Sequence, residues 1–91
     1  MTRAEADCVI RNELGLHLRA AAAFVKIADG FESEVTLQRG DEKANGKSII
    51  AIVTLAAPKG TPVRVVAEGP DADEAVSALA ELIEDRFGER Q

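Results

Sequence analysis

Apolar and polar residues alternate along residues 4–11, with Ala4, Ala6, Cys8 and Ile10 on one face and Glu5, Asp7, Val9 and Arg11 on the other. A period of two belongs to a half-buried strand. The alternation stops at Asn12–Leu16, where Gly15 supplies a flexible backbone point. From about His17 the period lengthens. Ala21, Phe24, Val25 and Ala28 recur at steps of three and four, which predicts a helix with Gly30 as its C′ residue. Phe31, Ser33, Val35 and Leu37 then alternate with Glu32, Glu34, Thr36 and Gln38, predicting a second strand over 31–38. Gly40-Asp41 turns the chain back into a short third strand over 42–45.

Asn45-Gly46 makes another turn, and Ser48 precedes the run IIAIVTL. Its β-branched residues suit a strand. Serine just after a turn is a preferred helix N-cap, however, so the expectation is a short helix. Pro58-Lys59-Gly60 is a loop, and residues 61–68 form a fourth strand with Val63, Val65 and Ala67 on one face. Pro62 confines its start to an end or edge position. Asp71 opens the last helix with Glu74 three residues on, close to a capping box. Ala72, Ala75, Val76, Leu79, Leu82, Ile83 and Phe87 draw an apolar stripe that Gly88 ends. The order β-α-β-β-α-β-α packs most economically as one sheet with its helices on one face, an α+β fold.

The totals narrow the function more than the fold. Ninety-one residues without repeat or linker predict a single domain, 1–91, with a two-layer core and no large enclosed active site. A net charge of −5 and the absence of Tyr and Trp argue against nucleic acid as partner. Residues 1–48 carry 7 basic and 8 acidic residues, and residues 49–91 carry 4 and 8, so the acidic excess gathers towards the last helix. The one cysteine, Cys8, forms no internal disulfide and reads as core, which fits a cytoplasmic protein. MTRAEADC has no apolar signal region. The longest apolar run, Ala20–Val25, is far too short to insert in a membrane.

The candidate chemistry lies in NELGLHLRAAAAFV, residues 12–25, which holds the only histidine. His17 falls where a strand stops and a helix starts, at unsatisfied backbone N–H groups and the positive end of the helix dipole, a place that holds anions. Arg19 supplies forked donors suited to phosphate oxygens. No second His or Cys accompanies the ring, so neither a metal nor another cofactor is expected. Nor is there a nucleophile–base–orienter set. His17 therefore reads as a nucleophile that is itself modified, since an imidazole with a reference pKa of about 6.5 keeps a ring nitrogen free at neutral pH. GDEKANGKS, residues 40–48, mimics a Walker A loop but puts five residues between its glycines instead of four.

Gly15-Leu16-His17-Leu18-Arg19 resembles the phosphorylation motif of HPr, the histidine-containing phosphocarrier family of the bacterial phosphoenolpyruvate-dependent phosphotransferase system. The resemblance extends through FVKIADGFESEVTL, NGKSIIAIVTL and the last amphipathic helix. It implies an open-faced two-layer β-sandwich, with a four-stranded antiparallel sheet of order 1-4-2-3 and three helices on one face. It also implies that His17 accepts a phosphoryl group on Nδ1 from phosphorylated enzyme I and passes it to an enzyme IIA domain, with Arg19 stabilising the phosphate. The sugar-uptake and nitrogen-related branches both remain open, and a monomer is expected. Leu18 and Ala20 stand where the family usually has Ala or Thr and Pro. Ala20 restores a first-turn N–H that proline lacks, which adds a donor near the phosphate or shifts the helix start by one residue.

Ser48 reads locally as a helix N-cap, and by resemblance as the serine that an HPr kinase/phosphorylase modifies in many bacteria. The two roles are compatible, because a phosphate is tolerated at a helix start. A one-sided short helix cannot bury Ile49, Ile50 and Val53 together, so part of them forms an apolar docking patch. The resemblance sets them beside the histidine, with Leu18, Arg19, Lys26 and Lys47 around them. The alternative is an HPr-like module that only binds partners, controlled through Ser48. A small ligand-binding sandwich of another family finds no pocket-building residues to support it.

Overall fold

In the computed structural model, which describes residues 2–91, the chain runs β1 (Thr2–Val9), α1 (Leu18–Ala28), β2 (Glu34–Arg39), β3 (Glu42–Asn45), α2 (Ile49–Thr54), β4 (Pro62–Gly69) and α3 (Ala72–Glu84). The strands form one antiparallel sheet of order β1-β4-β2-β3. This is the open-faced sandwich expected. Its inner face carries Cys8, Val35, Leu37, Val63, Val65 and Ala67, all buried, against Phe24 of α1 and Leu79 and Ile83 of α3. Phe24 is wholly buried, and sealing such a ring contributes about 1.5–3 kcal/mol. The outer face of β1 and β4 is polar, with Arg64 bonded through Nε to Asp7 at 2.8 Å. Burial and the Glu84 and Asp7 charges push the Cys8 thiol up against a smaller opposing effect of Arg11, so it is core and unreactive.

IIAIVTL is a helix. Ser48 sits at its N-cap with Oγ accepting the Ala51 N–H at 3.2 Å, and Ile52 is its buried residue. At the other end Arg39 donates to the carbonyls of Leu55 and Ala56, at 2.8 and 3.0 Å. These bonds satisfy the carbonyls that every helix end leaves open.

Four expected boundaries or contacts move, each for a visible reason. β1 runs over 2–9 and not 4–11, because the regular exchange with β4 ends at Ile10: its N–H still reaches the Thr61 carbonyl, which the register sets opposite, but its own carbonyl accepts the Gly60 N–H instead of that of Thr61. β2 begins at Glu34 and not Phe31. The reason is Asp71, which makes no capping bond to α3. Its carboxylate accepts the N–H groups of Glu32 and Ser33, at 2.9 and 3.0 Å, and the Ser33 hydroxyl at 2.5 Å. The sequence-level capping box is thus a clasp between two loops. Finally, α3 stops at Glu84, so Phe87 is not on its stripe. Arg86 and Phe87 both take φ 56°, followed by Gly88 at 78°. A left-handed residue with a side chain costs about 1–2 kcal/mol. Burial of the Phe87 ring, 8% exposed, offsets it.

The Asp71 clasp makes a pH-dependent prediction. The Ser33 hydroxyl and the Glu32 amide, helped by the Ser33 amide, outweigh the cost of burial and hold the carboxyl below its ordinary value of 3.8. A depressed folded value means stability that is complete above 3.8 and lost as pH falls through the lower folded value. Asp71→Asn should therefore lower the thermal midpoint at neutral pH. The gap from the unmodified protein should close in acid below 3.8, as followed by circular dichroism.

Candidate functional site

The segment between β1 and α1 is locked before it reaches the histidine. The Leu16 N–H donates to the Ala57 carbonyl at 2.9 Å, and the Leu16 side chain is buried. Gly15 takes φ 67°, and a Cβ there would lie 2.6 Å from the Ala57 oxygen and 3.0 Å from Pro58 Cα. Only glycine lets the loop lie this close. Asn12, wholly buried, donates through Nδ2 to the Gly15 carbonyl at 2.7 Å. His17 then leaves the turn in an extended conformation, φ −78° and ψ 177°, as the N-cap of α1.

The ring itself makes the capping bond. Nδ1 accepts the Arg19 N–H at 3.1 Å, the role a serine or aspartate oxygen usually fills. An accepting Nδ1 carries no proton, so the neutral ring has its proton on Nε2. Nε2 faces Glu89 Oε2, and the other oxygen of that carboxylate accepts Asn12 Nδ2 at 3.0 Å. Burial pushes the Glu89 carboxyl up. The bonds from Asn12 and His17 and the charges of His17 and Arg19 outweigh it and hold the group below its ordinary value. Among the described residues no cluster of His, Cys, Asp or Glu is arranged to hold a metal ion.

The arrangement leaves an unprotonated ring nitrogen at the electropositive end of an eleven-residue helix. The Arg19 guanidinium makes no hydrogen bond among the described residues. It lines a shallow cleft of about 410 Å³ with Glu13, Leu14, Glu89, Arg90 and Gln91. Ala20 is the third helical residue and is 1% exposed, so its N–H is not presented at the surface. The helix start is where the sequence set it.

The surrounding residues separate. Leu18 is 62% and Ile50 75% exposed, while Ile49 and Val53 are half-buried against the core. Lys26 is exposed in the last turn of α1. Lys47 is tied down, its Nζ donating to the Phe31 carbonyl at 2.7 Å. Three residues of the site escaped the sequence reading: Asn12, Leu14, which is 64% exposed, and Glu89. Asn12 carried a signal, being a polar residue in the loop next to the histidine. Glu89, seventy-two positions away, carried none.

A family model described as the PTS HPr component phosphorylation site matches residues 4–85. The phosphocarrier protein HPr of Pseudomonas aeruginosa is 48% identical over 84 residues, covering 91% of this chain and 93% of that protein. The phosphocarrier protein NPr of Shewanella violacea is 35% identical over 89 residues, covering 98% of each. In structure, HPr-C-His from Thermoanaerobacter tengcongensis superposes with a TM-score of 0.91 at 42% identity, over 97% of this chain and 99% of that one.

The close approach at Gly15 is open to a direct check. Gly15→Ala should destabilise the protein by about 1–3 kcal/mol, the cost of a strained left-handed residue. Denaturant unfolding reads that loss, and amide shifts from Leu16 to Arg19 should move with it.

Proposed function

This chain belongs to the HPr family of phosphotransferase-system phosphocarriers, and from that premise we propose that His17 is the residue that carries the phosphoryl group. It takes the group on Nδ1 from phosphorylated enzyme I and hands it to an enzyme IIA domain of the sugar-uptake or nitrogen-related branch. The observation that carries this reading is the ring at the N-cap, with Nδ1 turned to the amides of α1.

In the transfer the Nδ1 lone pair attacks phosphorus. The bond to the donor's leaving group breaks with its electron pair, and Nε2 keeps its proton. The Arg19 N–H, released from Nδ1, turns to a phosphoryl oxygen, and the Arg19 guanidinium supplies two parallel donors from the side. Both favour a dianion at the helix start. The phosphoryl group arrives from one partner and leaves to another, so the protein acts as a carrier between them rather than as a stand-alone catalyst.

Exposed Leu18 and Ile50 form the apolar part of the docking surface, with Ile49 and Val53 supporting them from the half-buried side and Lys26 at its edge. Lys47 contributes through its hold on the Phe31 carbonyl more than as a free charge. Ser48 lies one residue before this patch. Phosphorylation there by an HPr kinase/phosphorylase would add about −1.5 to −2 charges. The phosphate could still accept the Ala51 N–H, so the modification would change the docking surface and leave the helix standing. The protein acts in the cytoplasm as a monomeric single domain, residues 1–91.

Incubation with phosphoenolpyruvate, Mg²⁺ and enzyme I should add one acid-labile phosphoryl group, absent in His17→Ala. Retention of that group in His17→Ala would overturn the assignment. Arg19→Ala should still be phosphorylated, but at a rate lowered by about a hundredfold, the usual loss when one donor to a transition-state charge is removed.

A further inference from the structure

The residues after α3 do more than close the fold. Arg86 and Phe87 are left-handed, Gly88 follows at φ 78°, and the buried Phe87 ring pins the turn. Backbone held in such a conformation points to a purpose for what it presents. Here it presents Glu89, whose carboxylate meets His17 at Nε2 and the buried Asn12 at 3.0 Å. Asn12 also holds the Gly15 carbonyl, so one amide joins the loop before the histidine to the segment after α3. Glu89 lies outside residues 4–85, the part matched by the family model.

We infer that Glu89 is a positioning residue for His17: its carboxylate, steadied by Asn12, accepts a hydrogen bond from the Nε2–H and so leaves Nδ1 as the nitrogen that takes the phosphoryl group. This rests on the reading of His17 as the phosphoryl carrier.

Two consequences follow from the bond. Before transfer, the neutral ring is held in one tautomer from both sides, by Glu89 at Nε2 and by the Arg19 N–H at Nδ1. During transfer, Nδ1 gives its lone pair to phosphorus while Nε2 keeps its proton, so the ring becomes cationic. The carboxylate already faces that charge and needs no rearrangement to meet it. Glu89 touches neither the phosphorus nor the leaving group. It acts through the ring, as the carboxylate beside a catalytic or metal-bound imidazole does.

Nitrogen-15 and proton spectra of the His17 ring test this without any partner protein, and phosphoramidate serves as a small phosphoryl donor. The unmodified protein should show one tautomer, a protected Nε2 proton, and phosphorylation at Nδ1 alone. Glu89→Ala, with an otherwise native backbone spectrum, should lose the protected proton. Its Nδ1 phosphorylation should slow about tenfold, the loss of one charge-assisted hydrogen bond, and an Nε2-phosphorylated product should appear. Glu89→Gln keeps an acceptor and loses the charge, so it should retain Nδ1 as the site while also slowing. An unchanged ring proton, tautomer and rate in Glu89→Ala would overturn the inference. Failure of enzyme I to phosphorylate His17 would count against the carrier reading instead, and the ring spectra would still report on Glu89.

Discussion

The His17 imidazole is held between two hydrogen bonds of opposite sense, accepting at Nδ1 from the Arg19 backbone and donating at Nε2 to Glu89. The pair sets the tautomer. It also leaves the Nδ1 lone pair facing a first-turn N–H at the start of α1, that of Arg19. A ring nitrogen that caps a helix is a weaker acceptor than a carboxylate oxygen. It can therefore exchange its amide for a phosphate that satisfies the same donors better.

Much of the remaining structure serves to keep that geometry. Leu16 is buried and bonded to Ala57, Gly15 lies against Ala57 and Pro58, and Asn12 is sealed between the loop and Glu89. α1 is set by Ala20, Ala21, Phe24, Val25 and Ala28 on the sheet side, so the helix that carries the dipole cannot tilt away from its cap. The small residues matter, because a bulkier side chain at Ala20 or Ala21, 1% and 0% exposed, would push the helix start off the core. The large apolar side chains left exposed are Leu14, Leu18 and Ile50, the surface that a partner would cover under the proposed function.

The features legible in the sequence were those written in local periodicity and in one motif. Alternation located three strands, the Gly40-Asp41 turn placed the short β3, and Ser48 after a turn outweighed the β-branched run that follows it. The features that were hidden depend on residues meeting across the fold. Asp71 looks like a capping residue until the 32–33 loop arrives and takes its carboxylate. Phe87 continues the spacing of α3, yet a left-handed turn carries it into the core by another route. Glu89, one more acid in an acidic half, becomes part of the site only because that turn aims it back at His17. Local pattern encodes which face an element buries; it does not encode which distant side chain completes a hydrogen bond.

The central claim is that the start of α1 receives the phosphoryl group carried by His17. The most direct measurement compares backbone amide shifts of the free and the phosphorylated protein. If the claim holds, the amide protons of Leu18 and Arg19 move strongly downfield on phosphorylation, as they turn to phosphate oxygens, while the sheet stays unchanged. A phosphorylated protein whose first-turn amides do not move would contradict it.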